Sequence, residues 1–310
     1  MSKKYGIMSD LHKIDIRAVQ PTIKILKDRG ADALVLNGDL FGERSGFNPQ
    51  DYFAATLDIA GQSGIETYVL PGSHEEAHIF EPVLAHFVKK YGNIINTFNN
   101  PKIEKKDHDL VFLQGSDWRA GDAVDSGYSL ETERHSGFHK DKETDVYLRV
   151  INMGDLKRIV SAPEKTIVFS HVPRKFDNIE TAVDMAEFWE VQQEFRLGND
   201  ICSVGSVFPG PAGYSLARKG APILLKRENR GNNSLKDAFD ELGITKNITG
   251  HFHESAGRAN DLESKAVKEG LFVPTLFYNA ACMDRLMVGM VSVDGEKAAY
   301  ENVNLERYFK

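Results

Sequence analysis

Residues 33–39 read Ala33-Leu34-Val35-Leu36-Asn37-Gly38-Asp39: a short apolar run that stops at an amide, a glycine and a carboxylate. A run this compact is a buried strand, and Gly30 just before it closes a helix over about 17–29 whose Val19, Ile23 and Leu26 share a face. The same unit recurs on both sides. Upstream, Tyr5 to Met8 is an apolar strand leading into Asp10-Leu11-His12. Downstream, Asn48-Pro49 opens a helix carrying Phe53, Leu57 and Ala60. A third strand, Thr67 to Leu70, stops at Pro71-Gly72, and a helix with Val83, Phe87 and Tyr91 follows. Strands alternating with helices at this spacing predict a largely parallel sheet with helices packed on it.

After Tyr91 the pattern changes. Ile94 to Phe98, Lys102 to Lys105 and Leu110 to Leu113 read as short, closely spaced strands, antiparallel or mixed. Residues 117–148 are charged and weakly periodic and read as a surface insertion. The core resumes with Thr166 to Phe169, which ends at Ser170-His171. A second insertion, about 174–232, is expected to hold a helix from Ala182 to Leu197, with Phe188, Trp189 and Phe195 as its small core and Lys226, Arg227 and Arg230 as a solvated basic run. Ser234, with Asp237 three residues on, is expected to start a helix that ends before Gly243 and leads to a strand closing at Gly250-His251. The segments 271–278, 286–293 and 297–303 read as strands, the last two joined by a hairpin at Asp294-Gly295. The whole is read as one domain over residues 1–310 carrying the two insertions.

Composition narrows the function. The chain has 310 residues with 38 Lys plus Arg against 45 Asp plus Glu, a formal charge of −7, which disfavours broad binding to nucleic acid. Its two cysteines, Cys202 and Cys282, are too few for a disulfide scaffold or a thiolate zinc module. With no signal-peptide core and no long apolar run, a cytoplasmic protein without membrane attachment is expected.

The chemistry collects at the strand ends: Asp10-Leu11-His12, Gly38-Asp39, Gly72-Ser73-His74-Glu75, Ser170-His171 and Gly250-His251-Phe252-His253. In open α/β sheets the carboxyl ends of strands converge on one crevice, so these residues become neighbours in space. The pairs Asp10 with His12 and His251 with His253, each two residues apart, would project on one side of an extended segment and could each grip one ion. Carboxylates and imidazoles without thiolate suit manganese, iron, zinc or cobalt, and the number of donors suggests two ions with Asp39 as the bridge. His78, His86, His108, His135 and His139 stay outside this set; His135 and His139 have helical spacing, but Gly137 lies between them.

These motifs, in this order, resemble those of the calcineurin-like metallophosphoesterases: Asp-x-His, Gly-Asp, Gly-Asn-His-Asp/Glu, a single His after a strand, and Gly-His-x-His. The resemblance runs from residue 4 to 280, outside the insertions. It implies a four-layer αββα sandwich of two mixed sheets and a dinuclear centre of divalent transition-metal ions. Asp10, His12 and His253 would hold the first ion, Asp39 would bridge, and His171 and His251 would hold the second. His74 would protonate the leaving oxygen or steady the phosphate, with Glu75 orienting it. Where the family has a metal-binding Asn this chain has Ser73, a shorter and poorer ligand, which implies a more weakly held second ion; Asn37 and Asn279 are conceivable substitute amides. The implied reaction is hydrolysis of a phosphoester, a monoester or diester, with a phosphorylated small molecule or nucleotide as substrate. A DNA-repair-type nuclease on the same scaffold, and a non-catalytic scaffold with a degenerate metal site, are the alternatives.

Overall fold

The computed structural model describes residues 2–42, 48–116, 127–140, 147–280 and 282–309. Two six-stranded mixed sheets carry the architecture. In the first the order is Lys297–Asn304, Met287–Asp294, Lys3–Met8, Ala33–Asn37, Glu66–Leu70 and Ile94–Asn96. Its last four strands are parallel, and the C-terminal hairpin adds antiparallel to Lys3–Met8. In the second the order is Ala259–Asn260, Leu276–Asn279, Lys246–Thr249, Thr166–Ser170, Asp109–Leu113 and Lys102–Glu104. Four parallel strands again form the middle, with antiparallel strands at both edges.

Side-chain alternation sorts these strands into layers. Tyr5, Ile7, Val35 and Tyr68 from the first sheet meet Phe112, Phe169, Ile248 and Tyr278 from the second in one buried core. Leu34, Leu36 and Val69 point the other way, onto helices Val19–Asp28, Pro49–Gln62 and Ala77–Lys90. On the far side, Val111, Val168 and Phe277 pack against Leu235 and Phe239 of helix Asn233–Leu242. Helix, sheet, sheet, helix is the four-layer αββα arrangement expected from the motifs.

Local chemistry sets the helix ends. Asn48 Oδ1 accepts the Asp51 N–H at 2.8 Å and Pro49 occupies the first turn, as the sequence predicts. The later helix is capped by Asn232, whose side chain accepts the Leu235 N–H at 2.6 Å, and not by Ser234. An amide two residues earlier outcompetes the hydroxyl because its oxygen reaches the third helical N–H.

Both insertions depart from expectation. Within 117–148, the described residues form strands Tyr128–Glu131 and Gly137–Lys140, which join Tyr147–Asn152 in a small sheet. Tyr128 is fully buried against Phe80 and Phe98, so its strand is core and not surface, whereas Gly137–Lys140 stays largely exposed; residues 117–126 and 141–146 lie outside the described residues. In 174–232, the expected helix from Ala182 to Leu197 is instead the strand Met185–Val191, flanked by Val207–Pro209 and Ile223–Asn229. Its Glu187 and Glu190 pair with Arg227 and Lys226 of the neighbouring strand, contacts between residues far apart in the chain that favour the extended form. Helix Gly210–Arg218 lies beside it, with Gly213 directly under Trp189, where a Cβ would collide with the indole. No helix among the described residues is long and apolar enough to cross a membrane.

Candidate metal centre

At the carboxyl ends of the inner strands the chain turns abruptly, and three of the turning residues adopt left-handed backbone without being glycine: Asp10 (φ 56°), Asp39 (φ 54°) and His251 (φ 72°). Such a conformation costs on the order of 1–3 kcal/mol and persists where the surroundings over-determine it. Here it turns donor groups into one crevice. Two glycines make room for them. A Cβ on Gly38 (φ 84°) would meet the His171 ring, and one on Gly72 would meet the Asp39 carboxylate.

The donors fall into three overlapping groups, each with its ligand atoms within 4.8 Å of one another: Asp10, His12 and His253; His12, Asp39 and His74; Asp39, His171 and His251. Asp39 Oδ2 is 3.4 Å from His12 Nε2, 3.0 Å from His171 Nε2 and 4.0 Å from His74 Nε2. Asp10 Oδ1 is 3.2 Å from His253 Nε2. Asp10 and His12 fall in one group, whereas His251 and His253 are split between the outer groups. The left-handed backbone at His251 and the 3-10 turn that begins at His253 break the extended geometry that would have aimed both at one point.

Several features fit these residues to cations. His171 Nδ1 donates to the Asn37 carbonyl at 2.9 Å, which fixes the tautomer and leaves Nε2 aimed into the crevice. That buried Nε2 lies 3.0 Å from Asp39 Oδ2 without hydrogen-bond geometry, as expected of two donors facing a common third point. Charge balance says the same. Burial opposes protonation of His171 and His253, yet Asp39 and Asp10 push them up to about 10 and about 11. Burial would raise Asp39, but His171, His74 and His12 hold it well below the usual carboxylate range. Asp10 and Asp39 therefore favour positive charge beside them. Manganese, iron, zinc or cobalt would all satisfy a donor set of carboxylate and imidazole.

The remaining expected residues take different places. Ser73 is buried, and its backbone N–H reaches Asp39 Oδ1 at 2.6 Å while its Oγ lies 2.9 Å from Oδ2, so the hydroxyl serves Asp39. His74 is half exposed over the crevice, its ring 4.5 Å from that of His12. Glu75 does not orient His74: it is fully buried and accepts the backbone N–H groups of Asp39, Leu40, Phe41 and Gly72. Burial and the neighbouring Asp39 charge push Glu75 up to about 7. Asn37 and Asn279 each keep a buried side-chain oxygen without a hydrogen-bond partner among the described residues. Asn37 Nδ2 donates to the Ser170 carbonyl and Asn279 Nδ2 to the Phe252 carbonyl, ties within the framework. His108 is buried away from the site, hydrogen-bonded to Tyr5 and Asp107, and His139 contacts the His135 carbonyl.

Sequence reasoning missed Asp284. Its N–H donates to the Asp10 carbonyl, its Oδ1 accepts the Lys13 N–H at 2.6 Å, and its buried Oδ2 has no hydrogen-bond partner among the described residues. It follows the strand Leu276–Asn279 by a few residues, so the rule that polar residues after strands gather at the crevice could have found it.

A cavity of about 590 Å³ opens over the cluster. His12, Asp39, His74, His251 and His253 form its floor, and Phe188, Phe208 and Arg230 of the second insertion line one side.

No curated protein matches the chain in sequence. Among solved structures, the protein TT1561 of Thermus thermophilus superposes with a TM-score of 0.54 at 11% identity, over 99% of this chain and all of that one. A second crystal structure has the same TM-score at 14% identity, covering 97% of this chain and 99% of its own. At these identities the likeness is one of fold. The motifs in the first 200 residues carry more: the family model for calcineurin-like phosphoesterases matches residues 3–198, more than half of the sequence, and the chain belongs to that family.

Proposed function

We propose that the chain hydrolyses phosphoesters at a centre of two divalent transition-metal ions. The observation that carries this reading is the overlap of the three donor groups, in which His12 and Asp39 are each shared. Asp10, His12 and His253 would hold one ion, His171 and His251 the other, with Asp39 between them. Two such ions polarise a phosphoryl oxygen, lower the pKa of bound water and steady the leaving oxygen.

The chain's own residues do the rest. Glu75 fixes the backbone from Asp39 to Phe41, so the bridging carboxylate is presented at one position. Ser73 orients that carboxylate from the side. His74, half exposed and facing the cavity, would protonate the departing oxygen. Substrates would be phosphorylated small molecules or nucleotides, since the site lies in a walled cavity on an acidic chain. A reducing cytoplasm accords with Cys202 and Cys282, both buried and unpaired.

The test is metal analysis of the purified protein, followed by hydrolysis of an aryl phosphodiester and an aryl phosphomonoester with manganese, iron, zinc or cobalt. Two equivalents of metal and metal-dependent turnover are expected. A protein that binds metal but turns over neither substrate would favour the non-catalytic alternative.

A further inference from the structure

The floor of the cavity belongs to the family motifs, but its side belongs to the second insertion, and one residue there is held unusually firmly. Asp184 is fully buried and accepts three groups: the Phe176 N–H at 2.9 Å, the Asn229 side-chain amide at 2.6 Å and the Gly231 N–H at 3.1 Å. Its own carbonyl accepts the Arg230 N–H at 2.8 Å. Residues 229–231 are thus pinned on both sides of Arg230. A Cβ on Gly231 would strike the Arg174 carbonyl, so the approach that permits this clamp needs glycine there.

The Arg230 side chain is positioned as well. Its guanidinium lies over the Phe188 ring, 4.5 Å from the centroid, and the Glu228 carboxylate is 3.9 Å away. By contrast, Lys226 and Arg227, the other members of this basic run, are paired with Glu190 and Glu187 at 2.7 and 3.1 Å. A guanidinium stacked on an aromatic face keeps its N–H edge available for an oxyanion, and fixing it beforehand lowers the entropy lost on binding. Phe188 and Phe208 give the same side of the cavity an apolar surface that suits a planar group, and a volume of about 590 Å³ admits a ligand of nucleotide size.

We propose that Arg230 is a specificity-determining residue: it binds a second anionic group of the substrate, beyond the phosphate at the metal centre, and selects nucleotides with two or more phosphates over monophosphates. This rests on the phosphoesterase reading for the site as a whole, but recognition by Arg230 does not require the metals. The probes are therefore adenosine diphosphate, adenosine monophosphate and inorganic phosphate, titrated calorimetrically into metal-free protein and into Arg230→Ala and Arg230→Lys. The diphosphate should bind the unmodified protein more tightly than the monophosphate. Arg230→Ala should weaken diphosphate binding by about tenfold or more, and Arg230→Lys, which keeps charge but loses the planar fork, by less. Equal binding of the two nucleotides, or diphosphate binding that Arg230→Ala leaves intact, would overturn the proposal. Thermal melting of each variant separates loss of the contact from loss of the fold. Hydrolysis of an aryl phosphodiester by the metal-loaded unmodified protein, run alongside, distinguishes failure of this inference from failure of the phosphoesterase reading.

Discussion

Glu75 lies beneath Asp39 and accepts its backbone N–H at Oε2 over 3.1 Å. The same carboxylate takes the N–H groups of Leu40 and Phe41 from the first turn and of Gly72 from its own. Two loops that leave adjacent strands are thereby tied together at Asp39, which two of the three donor groups share. The left-handed backbone of Asp39 is held in place by this tie.

Removing the tie should therefore affect fold and site together. Glu75→Ala leaves four backbone donors without their acceptor, and each buried, unsatisfied group costs about 1–3 kcal/mol. Chemical denaturation should show a loss of roughly 3 kcal/mol or more, with a parallel fall in metal affinity. Glu75→Gln, which keeps one acceptor oxygen, should fall between. A Glu75→Ala protein that denatures at the same midpoint and retains its metal would show that the loops hold themselves.

Asp39 itself faces His12, His74 and His171 within 4.0 Å. Because one carboxylate serves both sides of the cluster, Asp39→Asn should depress occupancy of both ions, whereas His253→Ala, confined to the Asp10 side, should depress chiefly one. Metal stoichiometry by mass spectrometry reads the difference. Full occupancy in Asp39→Asn would remove Asp39 from the bridge.

Ser73 bonds to Asp39 with both its N–H and its hydroxyl, so it supports the bridge but extends no amide toward the His171 side. The second ion should accordingly be held more weakly than the first, and activity should climb when manganese is added in excess. Ser73→Asn should lower the manganese concentration for half-maximal activity. Tight, equal occupancy of both positions in the unmodified protein would contradict this.

Most of the site was legible because carboxylates and imidazoles recur together at the ends of several apolar runs: Asp10, His12, Asp39, His171, His251 and His253 each follow a strand. Proximity along the chain carried the motif but not the direction of each side chain. His251 and His253 diverge because of backbone conformation, which two-residue spacing cannot reveal. Glu75 was misread for a related reason: its partners are backbone N–H groups some 35 residues away, and backbone donors leave no trace in composition. The second insertion was the least legible part. Ala182, Met185 and Ala186 have helical spacing, but the cross-strand partners Lys226 and Arg227 decide for a strand.

Lys246 offers a test of the fold away from the site. It is buried, donates to the Glu164 carbonyl at 2.7 Å, and burial pushes it down to about 8 from 10.5. Between those values the unfolded chain holds a proton that the folded chain has lost. Stability therefore rises with pH across this window, and the cost of burying the amine is largest below pH 8. Lys246→Met removes the titration. The melting temperature of the parent minus that of the variant should increase from about pH 7 to about pH 10. A flat difference would mean that the amine stays charged in the folded protein.

His74 decides how the labour is divided within the centre. It lies beside Asp39 and His12, close enough to be a ligand, yet half its side chain is exposed and it lines the cavity, whereas His171 is fully buried. A group that protonates a leaving oxygen needs that exposure, while a ligand gains from burial. General-acid assistance is typically worth about 10² to 10⁴ in rate and matters most when the leaving alkoxide is a poor one. His74→Ala should thus keep its metal content and lose far more rate on a phosphoester of an unactivated alcohol than on one with a nitrophenolate leaving group. Equal losses on both substrates, accompanied by loss of metal, would make His74 a ligand and transfer proton donation to another group facing the cavity, with Asp284 the first to replace. Unchanged rates on both substrates would remove His74 from the reaction altogether.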